Sequence, residues 1–471
     1  MVKKNWLTGR DRELYELAEQ YEKAQTNQQP LYLDASDWAD LADWYAMHHK
    51  YDMAFKAIEY GLSLHPDNTE LLIELAYLYI DEQQIDKAQA TAERITEDFL
   101  DEVKILKANL LLINRQTQAA EKLLDTIEDK DNMANVTDIV YMYIDTGYPR
   151  KALEWLKPRM EIYENEEAFL ATTADCYYNL GWLKKAAELY NRLIDESPYN
   201  ASYWYGLARC YYDQSNFEKA IEACDFALTA DEDFAEAYVM RGNAFAQLGN
   251  DESAIENYHA AEKYDAISPY FVNIVDGMHL VDLKKWDEAY RKLQKAIDTN
   301  QNDEELGNLY AHAAVCLYRM GYKEKAEEYF HKAQELEPSE PDFYLMESHL
   351  HLEEYQYDKA IKAWNAAASV APTAETWNVI GLMCFECGEL KYAAQAFERV
   401  KEISPKDPKV DLRLQVIYLL LHDEEHYEQL ARTTHTPLSE EDVRSVRGLI
   451  ASEVSRDTLP QSLRQIFKYK R

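Results

Sequence analysis

The chain has 471 residues, 47 % of them apolar and only 13 glycine, and its 50 basic against 86 acidic side chains give a formal charge of −36. Binding nucleic acid requires a basic stripe that neutralises phosphate and releases counterions, and no part of this sequence supplies one. Nucleic acid and anionic membrane surfaces are therefore not expected as partners. No stretch approaches the ~18 apolar residues of a membrane span. The N-terminus, MVKKNWLTGRDRELYELAEQ, has two lysines but neither an apolar run nor a small-residue cleavage site, so it does not read as a signal peptide and a cytoplasmic protein is expected.

Residues 10–26 place Leu14, Leu17, Ala18 and Tyr21 on one face of a helix, which is expected to cap the helices after it. A polar linker over 25–30 and Leu31-Tyr32-Leu33 lead to Asp34, a helix N-cap. From there one apolar pattern recurs. Trp38, Leu41, Ala42 and Tyr45 fall at i, i+3, i+4 and i+7, followed by Ala54, Ile58, Gly61 and Pro66. Leu72, Leu75, Ala76 and Tyr79 repeat the first set, with Ala88 and Ala92 after them. Further units begin near 101, 133, 167, 201, 235, 270, 307, 341 and 374, each placed by one small residue: Ala120, Ala152, Ala186, Ala220, Ala254, Ala289, Ala326, Ala360 and Ala393.

Punctuation supports this division. Pro66, Pro198, Pro338, Pro372 and Pro405 close individual units, Gly147, Gly181 and Gly249 mark turns, and Pro158 is expected to shorten or kink a second helix. The stretch 298–305 is a slightly longer connection. The unit near 341 carries Ser348 and His351 where a small residue and an aromatic are expected, so its packing is expected to be the least secure. Beyond 408, Leu412, Leu414, Ile417, Tyr418 and Leu421 continue a first helix, while the second, around 427–431, is degenerate. Residues 439–456 read as one more helix, entered at Ser439, and the chain ends on a basic tail, QSLRQIFKYKR.

The clearest unit is ASYWYGLARCYYDQSNFEKAIEACDFALTADEDF, residues 201–234. Trp204, Leu207, Ala208 and Tyr211, then Ala220, Cys224 and Ala227, resemble the tetratricopeptide (TPR) repeat, and the period of about 34 residues extends the resemblance over 35–407. It implies an all-α fold, a right-handed TPR-like superhelical solenoid of about eleven helix-turn-helix repeats with terminal capping helices. The corresponding parts are a capping helix and linker in 1–34, the array in 35–407, and a degenerate repeat, capping helix and basic tail in 408–471.

In such a stack the first, or A, helix of each repeat lines the concave surface. At 3.6 residues per turn, the positions one step past the core columns face the groove. They supply Tyr141 and Asp145; Asp175, Tyr178 and Asn179; Tyr205, Arg209, Tyr212 and Asp213; Asn243 and Gln247; and Asp282. The thirteenth position is biased to carboxylates: Asp81, Asp145, Asp213, Asp282, Glu353 and Glu386. Carboxylates between aromatic rings suit an extended or helical protein segment with basic residues, held by charge-assisted hydrogen bonds and cation–π contacts. The plainer account is that turns tolerate Asp at a helix end. Two ligand modes of the family do not carry over. The carboxylate clamp lacks its Lys and Asn set, and the asparagine-ladder column holds Asp138, Thr172, Gly206, Met240 and Val275.

Catalytic and metal motifs are sparse. His422 and His426 satisfy H-x-x-E-H, an inverted zincin pattern that still needs a third ligand and a pocket. Cys384 and Cys387 form C-x-x-C inside a helix frame, and Cys176, Cys210, Cys224 and Cys316 occupy packed columns, so free buried thiols are expected. No cofactor, metal or enzymatic activity is expected. The alternatives are self-association through the tail residues Arg464, Lys468, Lys470 and Arg471, and a metal-dependent hydrolase at His422 and His426.

Overall fold

The computed structural model describes residues 10–434 apart from 28, 49, 265 and 301–304. Every regular element among them is helical, and they fall into two compact units, 1–268 and 269–471. In the first unit α1 (Arg10–Thr26) precedes seven antiparallel hairpins: α2 (Ala35–Met47) with α3 (Tyr51–Leu64), α4 (Thr69–Asp81) with α5 (Ile85–Arg94), α6 (Asp101–Ile113) with α7 (Thr117–Leu124), α8 (Met133–Asp145) with α9 (Pro149–Leu156), α10 (Glu167–Asn179) with α11 (Leu183–Glu196), α12 (Ala201–Asp213) with α13 (Phe217–Ala230), and α14 (Ala235–Gln247) with α15 (Asp251–Lys263). The second unit stacks α16 (Pro269–Asp282) with α17 (Trp286–Thr299), α18 (Leu306–Arg319) with α19 (Lys323–Leu336), α20 (Pro341–Glu353) with α21 (Tyr357–Val370), α22 (Ala374–Glu386) with α23 (Leu390–Ile403), and α24 (Pro408–Leu420) with α25 (Glu424–Thr434).

Small side chains set the spacing inside each hairpin. Ala54, Ala88, Ala120, Ala152, Ala186, Ala220 and Ala254 are all buried, so the second helix lies close against the first and the larger apolar residues of neighbouring hairpins interdigitate. At the N-terminal end, α1 buries Leu14, Ala18 and Tyr21, and the Tyr21 ring meets Trp38 edge-on at 5.2 Å. Asp34 and Asn68 cap α2 and α4 by accepting from backbone N–H groups two or three residues into the helix.

From α4 onward each first helix ends in a left-handed turn. After α12, Ser215 N–H donates to Tyr212 O at 2.8 Å and Asn216 N–H to Tyr211 O at 2.9 Å, the paired bonds of a Schellman motif. Glycine fills the left-handed position at Gly147, Gly181, Gly249, Gly321 and Gly388, whereas Gln83, Arg115, Ser215, Lys284, Tyr355 and His422 adopt it as non-glycine residues with φ between 57° and 60°. Pro158 does shorten α9. A 3₁₀ turn over 157–159 comes next, and buried Arg159 donates to Lys130 O at 2.9 Å and Trp155 O at 2.6 Å.

Two expectations are corrected. The unit at 341 is filled rather than loose: Phe343, Leu345, Met346, Leu350 and Leu352 are buried, and so are Ser348 and His351. The Ser348 hydroxyl donates to Leu345 O at 2.7 Å and His351 Nε2 lies 3.6 Å from Glu347 Oε1, while His351 Nδ1 is buried without a hydrogen-bond partner. The last repeat is less degenerate than its sequence, because α25 is a full helix that buries Leu430. The helix expected over 439–456 and the basic tail lie outside the described residues.

Cys176, Cys210, Cys224, Cys316 and Cys384 are buried, and Cys387 is half-buried. Burial pushes the thiols of Cys176, Cys210, Cys224 and Cys316 up to about 12. Among the described residues, no helix is long and apolar enough to cross a membrane, and no group of three or more His, Cys, Asp or Glu is placed to hold a metal. His422 is exposed in the turn before α25, while His426 Nδ1 lies 2.8 Å from Asp423 Oδ2.

Candidate functional site

Successive A helices of the first unit bring six of the expected residues into one polar cluster. Its hub is Asp175 on α10, whose side chain is 16 % exposed. Tyr141 from α8 donates its hydroxyl to Asp175 Oδ2 at 2.8 Å, Tyr190 from α11 donates to Oδ1 at 2.7 Å, and the Arg209 guanidinium from α12 lies 3.8 Å from Oδ1. Arg209 in turn covers the ring of Tyr178 at 3.9 Å and that of Tyr205 at 5.9 Å. The outer edge is closed by Tyr178, whose hydroxyl donates to Asp213 Oδ2 at 2.6 Å. The cluster thus spans three repeats, linked by alternating phenol and carboxylate.

Electrostatics separates an inner from an outer layer. Burial raises the Asp175 carboxyl above its ordinary range, against the two phenol hydrogen bonds and Arg209, which lower it. Tyr141 and Tyr190 are held well above the ordinary phenol value, first by burial and then by the Asp175 charge. Burial pushes Tyr205 up to about 12. The three phenols therefore stay neutral across the physiological range and brace the face from behind. Asp175, expected in the groove with its carboxylate available, is occupied by its neighbours instead.

The remaining expected residues are dispersed. Asp145, Asn179 and Gln247 are exposed. Asn179 Nδ2 donates to Asp175 O at 2.9 Å, the half-buried Tyr212 ring meets Phe217 edge-on at 5.3 Å, and Asn243 Oδ1 accepts from Tyr258 at 2.9 Å. Asp282 belongs to the second unit. There, Arg319 Nη1 lies 2.5 Å from Glu353 Oε2 and His349 Nε2 lies 3.4 Å from Glu353 Oε1. Burial alone would raise the Glu353 carboxyl, but His349 and Arg319 together hold it at about 2.

Tyr190 and Tyr258 are the residues that groove columns on A helices could not reveal, since both sit on second helices. One signal was available for the first. A Cβ at Gly206 would lie 2.4 Å from Tyr190 Cε1, so the missing side chain on α12 is the space that the Tyr190 ring fills on its way to Asp175.

The hairpins, their small-residue packing columns and their left-handed turns define an all-helical repeat protein. Sequence models of the tetratricopeptide repeat match residues 45–110, 172–233, 205–270, 345–408 and 307–340, together more than half of the chain. The chain belongs to the tetratricopeptide repeat family. It is 28 % identical over 165 residues to the TPR repeat-containing protein MJ1428 of Methanocaldococcus jannaschii, covering 33 % of this chain and 28 % of that protein. Over 90 residues it is 33 % identical to RNA polymerase II-associated protein 3 of Xenopus laevis, covering 19 % of this chain and 14 % of that one. The chain therefore spans less than a third of the length of these two curated relatives. Among solved structures, YrrB, a TPR protein with an unusual peptide-binding site, is 22 % identical with a TM-score of 0.34, over 40 % of this chain and 94 % of that one. Proteins of this family act generally in protein–protein interactions and are typically non-catalytic scaffolds.

Proposed function

We propose that this chain is a non-catalytic, cytoplasmic interaction scaffold that takes an extended or helical segment of a partner protein, one with basic residues, along the A-helix face of its first unit. The observation that carries this reading is the phenol–carboxylate cluster running from Tyr141 through Asp175 and Arg209 to Tyr178 and Asp213. A buried, fully partnered polar network holds its outer groups in fixed positions, so a partner meets a surface that loses little entropy on binding. Asp213 is the exposed carboxylate at its edge, Asp145 is exposed one helical turn along α8 from Tyr141, and the rings of Tyr178 and Tyr212 are half-buried.

The test is affinity capture with the intact chain as bait, at low and moderate salt, beside an Asp145→Asn, Asp213→Asn variant. A specific partner should bind about tenfold more weakly to the variant, and more weakly to the native chain as salt rises. A partner retained equally by both proteins, with unchanged helical circular dichroism, would move binding to another face.

A further inference from the structure

The groove-facing residue four places before the end of each A helix changes character between the two units. On α8, α10, α12 and α14 it is Tyr141, Asp175, Arg209 and Asn243, all polar and partly exposed. On α18, α20, α22 and α24 it is Val315, His349, Leu382 and Val416, and none of these is more than 5 % exposed. Leu345 and Leu352, one turn to either side of His349 on the same face, are buried too. Burial runs right round these helices: every residue from Ala311 to Tyr318, from Val379 to Cys384 and from Arg413 to Tyr418 is buried. A helix at the surface of a stack keeps a solvated stripe, so a helix buried on all sides has a neighbour on each. The helices packed against α20 are α21, α19, α18 and α22, and those against α18 are α19, α17, α16 and α20. They fill the back and the flanks, and the groove side is left to another segment. Since these side chains are buried within a single chain, that segment belongs to the chain itself.

We propose that the A-helix groove of the second unit holds an amphipathic helix, and that its occupant is residues 439–456 of the same chain. Every α-helix among the described residues is α1 or already a member of a hairpin, so the cover comes from outside them. Within 435–471, Val443, Val446, Ile450 and Val454 fall at i, i+3, i+7 and i+11 with Leu449 beside them, the apolar stripe by which a helix enters an apolar groove. As a helix, 439–456 is about 27 Å long, and A helices packed about 8–10 Å apart lie roughly three abreast within that length. The link 435–438 starts from the end of α25, the last helix of the same unit. Extended, it reaches about 17 Å, more than the ~10–12 Å width of the helix it has to pass. The tail after 456 suits the groove less, because an apolar column offers no partner to Arg464, Lys468, Lys470 and Arg471. The second unit thus presents a groove that is already filled, and a partner helix enters it only by displacing this segment. The assignment concerns the second unit and stands whether or not the first unit binds a partner.

The test uses the full chain with the photo-cross-linking residue p-benzoylphenylalanine in place of Ile450, irradiated at low concentration and mapped by mass spectrometry. Adducts on α18, α20 or α22 of the same molecule are expected. Adducts confined to α25 or to the first unit, adducts joining two chains, or no adduct at all would overturn the assignment. Independently, Val446→Glu with Ile450→Glu should release the segment, so that amide hydrogen exchange over α20 and α22 quickens at least about tenfold while exchange over α10 and α12 is unchanged. Adding a synthetic peptide of residues 439–456 should restore the protection, and the same peptide carrying both glutamates should not. Unchanged exchange in the double variant would show that these side chains cover nothing. Faster exchange in α24 and α25 alone would make the segment an end cap and overturn its place in the groove. If the variant loosens both units alike, the cross-link decides the matter.

Discussion

Glu353 shows how one side chain ties charge to stability in the second unit. Burial would raise its carboxyl, yet the His349 and Arg319 contacts hold it at about 2, below its ordinary 4.5. Between those two values the unfolded chain binds the proton and the folded one does not. The contribution is therefore complete above about pH 4.5 and is lost as the pH falls toward 2. Glu353→Gln should cost about 1–3 kcal/mol near neutral pH, and the gap between native and variant should close as urea denaturation is repeated from pH 4.5 down toward about 2. A gap that stays constant with pH would show that another group titrates. The Asp175 carboxyl is shifted the other way, since burial raises it against the two phenol hydrogen bonds and Arg209.

The hairpin is the unit in which turn geometry and packing meet. Its left-handed residue is glycine after some A helices and a side-chain-bearing residue after others, with φ of 58° at Ser215 and 74° at Gly181. A Cβ is strained in that conformation by about 1 kcal/mol. Ser215→Gly should thus raise stability by about 0.5–1 kcal/mol and Gly181→Ala should lower it by a similar amount, read as opposite shifts in the denaturation midpoint. Equal signs for the two changes would contradict the turn assignment. The helix starts were legible because one small residue per second helix sets the register: units placed near 101, 133, 167, 201, 235 and 374 begin at Asp101, Met133, Glu167, Ala201, Ala235 and Ala374. Tyr190 was not legible from the groove columns, because its role depends on how far α11 stands from α10, which no periodicity encodes. The solidity of α20 was hidden for a related reason. Ser348 and His351 look misplaced until the Ser348 bond to Leu345 O and the burial of both side chains are known.

At the scale of the whole chain, the formal charge is −36. Such an excess stores self-repulsion in the compact state, and salt relieves it over a Debye length of about 8 Å at physiological ionic strength. The melting temperature should therefore rise between low salt and about 0.15 M sodium chloride, and a fall would mean that favourable ion pairs outweigh the net repulsion. The candidate site was legible here only as a tendency. Columns of tyrosine and carboxylate picked out residues that do cluster, but which carboxylates were already occupied emerged only from packing. The cysteines carry one more consequence. With the thiols of Cys176, Cys210, Cys224 and Cys316 pushed up to about 12 and Cys384 buried as they are, none of these five exposes the thiolate that alkylating reagents attack. Cys387, half-buried where α22 ends, is left as a single address on the native chain, where a maleimide dye would report on the second unit without altering one residue.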